Sequence, residues 1–342
     1  MLKNSKVIII AEAGVNHNGD INLAKKLIDI AANSGSDYVK FQSFKAAKLA
    51  SKDSKKANYQ MINYNSKDDS QYEMLKSLEL SDSDHLSLIK YCNLKKIKFL
   101  SSPFDVDSID YLNSLNIDLF KIPSGEITNY QLLKKISTLS KPVILSTGMS
   151  TIDEIKNALY VLTSDKLNLN DITVLHCNTE YPTPYIDANI KAMLDLYENL
   201  GVNVGLSDHT LGIEVSIAAV ALGAKVIEKH FTIDKTLEGP DHKASLEEFE
   251  LIEMVKSIRN VELSLGDGLK KVTNSERKNI SIARKSIYTN CDVFKGQKIT
   301  DKMLIALRPG DGISPMEIPH VLNKKFTKDL KVNTKLTIND FE

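Results

Sequence analysis

Eight short apolar runs constrain this chain more than any other feature, each closing on polar, glycine-containing or charged residues and most leading into a helix-like stretch. They occupy 7–14 (VIIIAEAG), 38–42 (YVKFQ), 98–104 (KFLSSPF), 119–126 (LFKIPSGE), 142–149 (PVILSTGM), 173–180 (TVLHCNTE), 203–209 (NVGLSDH) and 225–231 (KVIEKHF). Apart from the second interval they begin roughly 20 to 30 residues apart, room for a strand, a helix and two loops, the repeat of a parallel βα sheet. Helical apolar spacing is clearest at 21–32, 152–162, 214–222 and 246–265. A doubly wound open sheet is the rival architecture. Eight units over about 230 residues match a closed barrel in number and size, so the spacing predicts an α/β chain folded as a (β/α)8 TIM barrel.

The second interval, 43–97, holds a polar stretch, AKLASKDSKKANYQMINYNSKDDSQYEML. It reads either as an extended loop on the active-site rim or as a disordered surface insertion. After Gly266-Asp267-Gly268 the stretch LKKVTNSERKN lacks an apolar stripe and reads as a linker. Short strands and turns follow, which divides the chain into domains 1–281 and 282–342. A core of about 60 residues is marginal alone, so docking on the barrel or on another subunit is expected to help it.

Lys plus Arg equals Asp plus Glu at 44 each, so no global field favours nucleic acid or an anionic membrane, and attraction for anions must be local. Cys92, Cys177 and Cys291 lie far apart without CxxC spacing, which fits a reducing compartment and a cytoplasmic enzyme. The first apolar run is too short for a signal peptide or a membrane span. No GxGxxG, Walker or GxSxG motif is present, so neither a nucleotide cofactor nor a hydrolase nucleophile is expected.

In a barrel the chemistry gathers at the C-terminal ends of the strands, and here those ends are rich. They offer Glu12, Asn16 and His17; Lys40 and Gln42; Ser101 and Ser102; Lys121, Ser124 and Glu126; Ser146 and Thr147; His176, Asn178 and Thr179; Ser207, Asp208 and His209; Glu228 and His230. Two lysines among hydroxyls suit a small, doubly anionic substrate, although a strand-end lysine often only reaches back to solvent. Lys40 and Lys121 stand between apolar neighbours, in VKF and FKI, where a surface lysine is less expected. His209 and His230 end consecutive strands, and two imidazoles there fit one divalent ion with an open shell; a hydrogen-bonded core histidine is the alternative. His85 and His320 read as surface residues. His242 reads as lining the mouth or facing solvent, Cys177 as a buried thiol, and Tyr59, Met61 and Tyr64 as packing on a sugar or anchoring the loop.

At these positions the sequence resembles the bacterial sialic acid synthase family, which includes N-acetylneuraminate, legionaminate and pseudaminate synthases. The likeness is carried by AEAGVNHNGD (11–20), VKFQSFKA (39–46), SSPFD (101–105), KIPSGE (121–126), ILSTGM (144–149), HCNTEYPTP (176–184), GLSDHT (205–210), EKHFT (228–232), GPDHKAS (239–245) and RPGDGISP (308–315). The resemblance implies a barrel joined to a small antifreeze-protein-like (SAF) domain, in a homodimer with shared active sites. It implies that Lys40, Ser102, Lys121, Ser124, Thr179 and Ser207 hold phosphoenolpyruvate. It also implies that His209 and His230 ligate Mn²⁺, Mg²⁺ or Co²⁺, and that Tyr181, Asp241 and a loop asparagine, Asn63 or Asn65, contact the sugar. Arg308 matches an arginine contributed by the neighbouring subunit's small domain.

The expected reaction condenses phosphoenolpyruvate with an N-acetylated amino sugar through C–O cleavage, with Glu12, Glu126 or Glu228 handling protons. N-acetylmannosamine, giving N-acetylneuraminate, is preferred slightly over 2,4-diacetamido-2,4,6-trideoxymannose, the acceptor of an N,N'-diacetyllegionaminate synthase. A Schiff-base aldolase using Lys121 or Lys229 and a non-catalytic sugar-binding scaffold are the rivals.

Overall fold

Strict alternation of side chains along eight strands sorts the barrel into an outer apolar shell and an inner column that changes from apolar to polar. The computed structural model describes residues 6–64 and 69–342. The strands are β1 (Ile8–Gly14), β2 (Tyr38–Ser43), β3 (Lys98–Pro103), β4 (Phe120–Ile122), β5 (Val143–Ser146), β6 (Ile172–Cys177), β7 (Asn203–Asp208) and β8 (Val226–His230). They pair in the order β3-β2-β1-β8-β7-β6-β5-β4, each ladder parallel, and β3 packs against β4 to bring the barrel near closure. Each apolar run of the sequence coincides with one of these strands to within a residue at its ends or contains it, as expected for a (β/α)8 barrel.

Residues such as Ile9, Ala11, Val39, Phe41, Phe120, Val143, Leu145, Val174, Val204 and Ile227 point outward and bury against the helices. Their inward neighbours Ile10, Tyr38, Leu100, Leu119, Ile144, Leu175 and Val226 form a separate apolar floor inside the barrel. One step further along each strand the inward positions become Glu12, Lys40, Ser102, Lys121, Ser146, Cys177, Ser207 and Glu228. The polar layer therefore rests on a dry base.

The helix Ile21–Ser34 begins at Asp20, whose carboxylate accepts from Asn22 N–H at 2.7 Å, and buries Ala24, Leu27, Ile28 and Ala31. Helix Ile152–Leu162 starts with a Thr151/Glu154 capping box. Among the described residues no helix is long and apolar enough to cross a membrane.

The interval after β2 is neither bare loop nor wholly extended, since it carries helices Ala46–Leu49, Asn58–Tyr64, Gln71–Leu78 and Asp82–Lys95. His85 in the last of these corrects the expectation of a surface residue. It is 3 % exposed, with Nε2 2.7 Å from Ser43 Oγ and Nδ1 2.9 Å from Ser81 O. The helix turns it onto the Ser43 hydroxyl on the outward face of β2, which in turn pairs with Ser101 of β3 at 2.7 Å.

The chain divides into two compact units, Met1–Gly266 and Asp267–Glu342. Residues 267–281, placed from the sequence in the first domain with LKKVTNSERKN as the linker, group with the second unit and supply helix Asn274–Arg277 and part of helix Asn279–Ala283. That unit pairs β9 (Ser286–Thr289) antiparallel with β10 (Leu304–Leu307) around a core of Ile287, Val293, Ile299, Leu304, Val321, Phe326, Leu330 and Leu336. His320 is exposed there, as expected.

Lys229 lies between two inward residues of β8 and therefore points away from the mouth. It is fully buried, 3.0 Å from Asp208 Oδ2 and 2.5 Å from Thr210 O. Asp208 in turn accepts from Thr210 and Ser216. An unpaired buried ammonium is costly, so Asp208→Ala is expected to lower unfolding free energy by roughly 3–5 kcal/mol. Urea unfolding monitored by circular dichroism measures it, and a loss below about 1 kcal/mol, as for an exposed pair, contradicts the assignment.

Candidate active site

Four ionisable side chains meet above the apolar floor. Lys40 Nζ stands 2.9 Å from Glu12 Oε2 and 3.6 Å from Glu228 Oε2, and donates to Ser102 Oγ at 2.9 Å. Lys121 Nζ donates to Ser146 Oγ at 2.7 Å and lies 3.4 Å from Glu228 Oε1, which also accepts from Ser207 Oγ at 2.9 Å. All four are at most 4 % exposed. The idea that these lysines merely reach solvent is thereby excluded.

Burial pushes the Glu12 carboxyl up to about 7, with Lys40 pulling against that and Glu228 adding to it. Burial acts the same way on Glu228, but the ammonium groups of Lys121 and Lys40 overcome it and hold Glu228 below its ordinary range. The two carboxyls are thus driven apart, one held as an anion and one poised to exchange a proton near neutrality. Lys40 stays above its usual value because Glu12 and Glu228 outweigh its desolvation, whereas burial draws Lys121 downward.

A cavity of about 560 Å³ opens over this layer, lined by Glu12, Lys40, Lys121, Ser207, Glu228 and both histidines among others. Ser102, Ser124, Thr179, Tyr181 and Asp241 also line it. Beside Ser124 the backbone comes very close, since Gly148 N donates to Ser124 Oγ at 2.9 Å. A Cβ on Gly148 would lie 2.6 Å from Thr179 Cγ2, so any larger residue would fill this cradle. Gly14, at φ +53° where β1 bulges, keeps similar room beside Glu12 and His230.

On the other side of the mouth His209 and His230 face each other, ring centroids 5.4 Å apart. Burial draws His209 down to about 4 and His230 well below its ordinary value, so both are neutral at pH 7, the form a metal requires. His209 Nδ1 is held by Asn178 O, which leaves Nε2 with only a 3.4 Å contact to Ser207 Oγ. His230 Nδ1 is buried without a hydrogen-bond partner, 3.8 Å from Asp241 Oδ2. Among the described residues no three His, Cys, Asp or Glu side chains form a ready-made metal site. The two free imidazole nitrogens therefore fit half a shell, the rest left to water or substrate.

Tyr181 stacks between Tyr59 at 5.2 Å and His209 at 4.1 Å, measured between ring centroids. Tyr59 belongs to helix Asn58–Tyr64, so the long β2 loop supplies a wall of the cavity, together with Gln60, Met74 and Leu78. The sequence named Tyr59 only as packing on a sugar or anchoring the loop, and its partner Tyr181 lies too far along the chain for spacing to join them.

Not every expected residue converges. Glu126 does not line the cavity, because β4 ends at Ile122 and the 3₁₀ turn Ser124–Glu126 breaks the alternation; its Oε2 accepts from Asn129 Nδ2 at 2.6 Å. Asn63 is buried with Nδ2 donating to Pro240 O at 2.7 Å, and Asn65 lies outside the described residues. His176 turns outward to Ala188 O. Arg308, expected to reach the site of a neighbouring subunit, is exposed in the second unit with its Nε donating to Ala283 O at 2.9 Å. His242 is neither on the mouth nor in solvent, but fully buried. Ser146, offered from the sequence only as one of the strand-end hydroxyls, accepts from Lys121 Nζ.

Comparison with known proteins places the chain in a family. A model of the NeuB family matches residues 27–270. An N,N'-diacetyllegionaminic acid synthase of Campylobacter jejuni is 53 % identical over 95 % of this chain and 97 % of its own length. A protein of the same name from Legionella pneumophila is 47 % identical, covering 96 % and 92 %. The solved N-acetylneuraminic acid synthetase of Leptospira borgpetersenii, in complex with citrate, is 34 % identical with a TM-score of 0.71, covering 81 % of this chain and 91 % of that one. The chain belongs to the NeuB family of sialic acid (nonulosonate) synthases and is a phosphoenolpyruvate-dependent, C–C bond-forming transferase of the sialic acid synthase type.

Proposed function

We propose that the chain is an N,N'-diacetyllegionaminate synthase, joining phosphoenolpyruvate to 2,4-diacetamido-2,4,6-trideoxymannose with water and releasing phosphate. The observation that carries the chemistry is the pair of buried ammonium groups, Lys40 and Lys121, set opposite the imidazoles of His209 and His230 around one opening. The choice of acceptor is supported by likeness to two legionaminic acid synthases at 53 % and 47 % identity, which displaces the initial preference for N-acetylmannosamine.

In this reading Lys40 and Lys121 hold the phosphate and carboxylate of phosphoenolpyruvate, with Ser102, Ser124, Thr179 and Ser207 donating hydrogen bonds. His209 and His230 hold a divalent ion, Mn²⁺, Mg²⁺ or Co²⁺, which supplies Lewis-acid polarisation of a carbonyl oxygen. Tyr181 and Asp241 bind the sugar and set its aldehyde carbon beside C3 of phosphoenolpyruvate. As that bond forms, positive character at C2 takes up water, and the adduct loses phosphate by C–O cleavage. Glu228, kept anionic by the lysines, stabilises the developing positive charge, and Glu12 takes a proton from the added water and gives it to the former aldehyde oxygen, which becomes a hydroxyl as the C–C bond forms. A small SAF-type domain, a homodimer that shares Arg308 between subunits, and a cytoplasmic location complete the proposal.

Phosphate release from phosphoenolpyruvate with Mn²⁺ is expected to be at least tenfold greater in kcat/KM with the diacetamido sugar than with N-acetylmannosamine, about 1.4 kcal/mol of discrimination. The reverse preference contradicts the acceptor. His209→Ala and His230→Ala are each expected to abolish turnover and to weaken Mn²⁺ binding, read by the free-ion electron paramagnetic resonance signal, with unchanged circular dichroism. Normal Mn²⁺ retention in both variants removes the metal role. Borohydride with pyruvate is expected to leave the protein mass unchanged, since Lys121 is ion-paired and Lys229 faces away from the mouth; a reduced adduct revives the aldolase.

A further inference from the structure

Among the described residues, the carboxylate assigned to the sugar has no hydrogen-bonding partner of its own. Asp241 is buried on the cavity wall, and its nearest ionic neighbour is His230 Nδ1 at 3.8 Å. Among the described residues its side-chain oxygens accept no hydrogen bond. A side chain without such an anchor takes its aim from its backbone.

That backbone is pinned from below. Asp241 O accepts from Ser245 Oγ at 2.7 Å and from Ala244 N at 3.1 Å. Ser245 Oγ accepts from Asn16 Nδ2 at 2.9 Å, and the same amide reaches Phe231 O at 2.9 Å. The next residue, His242, is fully buried, with Nδ1 2.6 Å from Thr232 Oγ1 and Nε2 3.2 Å from Asn18 Oδ1. Because Asn18 Nδ2 donates to Glu238 O, Asn18 Oδ1 is the acceptor that faces His242 Nε2–H, which leaves Nδ1 to accept from the Thr232 hydroxyl at 2.6 Å in preference to the longer 3.2 Å contact of that hydroxyl with Asp234 O. Asn18 Nδ2 then donates to Glu238 O at 2.9 Å, closing the chain of bonds on the loop where it began. Gly239 sits at φ +158° with room for no Cβ, which would lie 2.6 Å from His242 Cδ2.

We propose that His242, Thr232 and Asn18, together with Asn16 and Ser245, are positioning residues that aim the Asp241 carboxylate at the acceptor sugar. Thr232 and Asn18 do not line the cavity, so they act through the loop and touch no substrate. The network joins the loop after β1 to the loop after β8, and it gives the buried histidine a purpose that neither metal binding nor proton transfer supplies. The proposal rests on the reading of Asp241 as a sugar contact.

Steady-state kinetics of Thr232→Val, Asp241→Asn and the double variant test it, with phosphoenolpyruvate and 2,4-diacetamido-2,4,6-trideoxymannose varied in turn. Thr232→Val is expected to raise KM for the sugar roughly 10- to 100-fold, the range seen when an outer partner stops orienting a ligand-binding group. KM for phosphoenolpyruvate is expected to stay unchanged, and Thr232→Ser, which keeps the hydroxyl, to restore the sugar KM. The double variant is expected to be no worse than Asp241→Asn alone, because both act through one carboxylate. Asn18→Ala reads the same shift from the other end of the network if Thr232→Val does not fold. A wild-type sugar KM in Thr232→Val and Asn18→Ala while Asp241→Asn loses sugar overturns the proposal, as does equal damage to both substrates. An Asp241→Asn variant with unchanged sugar KM overturns the sugar-contact reading itself, and the proposal with it.

Discussion

Everything at the mouth of this barrel depends on two ammonium groups being held out of water. Removing an ion of that size from water costs several kcal/mol even after relaxation, so Lys40 and Lys121 remain charged only beside compensating anions. Glu228 serves both, at 3.6 Å from Lys40 and 3.4 Å from Lys121, and Glu12 serves Lys40 at 2.9 Å. With Glu12 raised to about 7 the quartet is incompletely neutralised at physiological pH. A substrate bearing a phosphate and a carboxylate brings the missing negative charge to a place where charge interacts strongly.

The neutral half of the mouth complements that charged half. His209 and His230 are kept unprotonated by burial, and their rings, with Tyr181 and Tyr59, make an aromatic wall facing the lysines. One side suits a compact anion and the other a polar but uncharged molecule with apolar faces, which is the demand that joining an enol phosphate to an aldose makes. The dry floor of Ile10, Leu100, Ile144 and Leu175 is what keeps the charged layer free of solvent from beneath.

Much of this was legible because strands alternate. The alternation that turns Glu228 and His230 inward turns Lys229 outward, against its reading as a Schiff-base lysine, and the structure supplies Asp208 as its partner there instead of at the mouth. The apolar brackets in VKF and FKI marked Lys40 and Lys121 as buried for the same reason. Legibility failed where alternation stops. Glu126 follows the end of β4, on a turn that rotates it toward Asn129. His85 and His242 read as surface or loop residues because their partners, Ser43 at 42 positions and Asn18 at 224, are joined to them only by the closed barrel. That 267–281 group with the second unit was not legible, because the short helices there carry no apolar stripe that a sequence pattern can register.

The central claim is that the buried ammonium pair is an anion cradle and not a structural ion cluster. Calorimetric titration of phosphoenolpyruvate into the Mn²⁺-loaded protein, in the absence of sugar, tests it on wild type and Lys121→Gln. The account predicts at least a tenfold weaker Kd for the variant, about 1.4 kcal/mol, at unchanged thermal stability of the barrel to within a few degrees. An unaltered Kd in Lys121→Gln would contradict it.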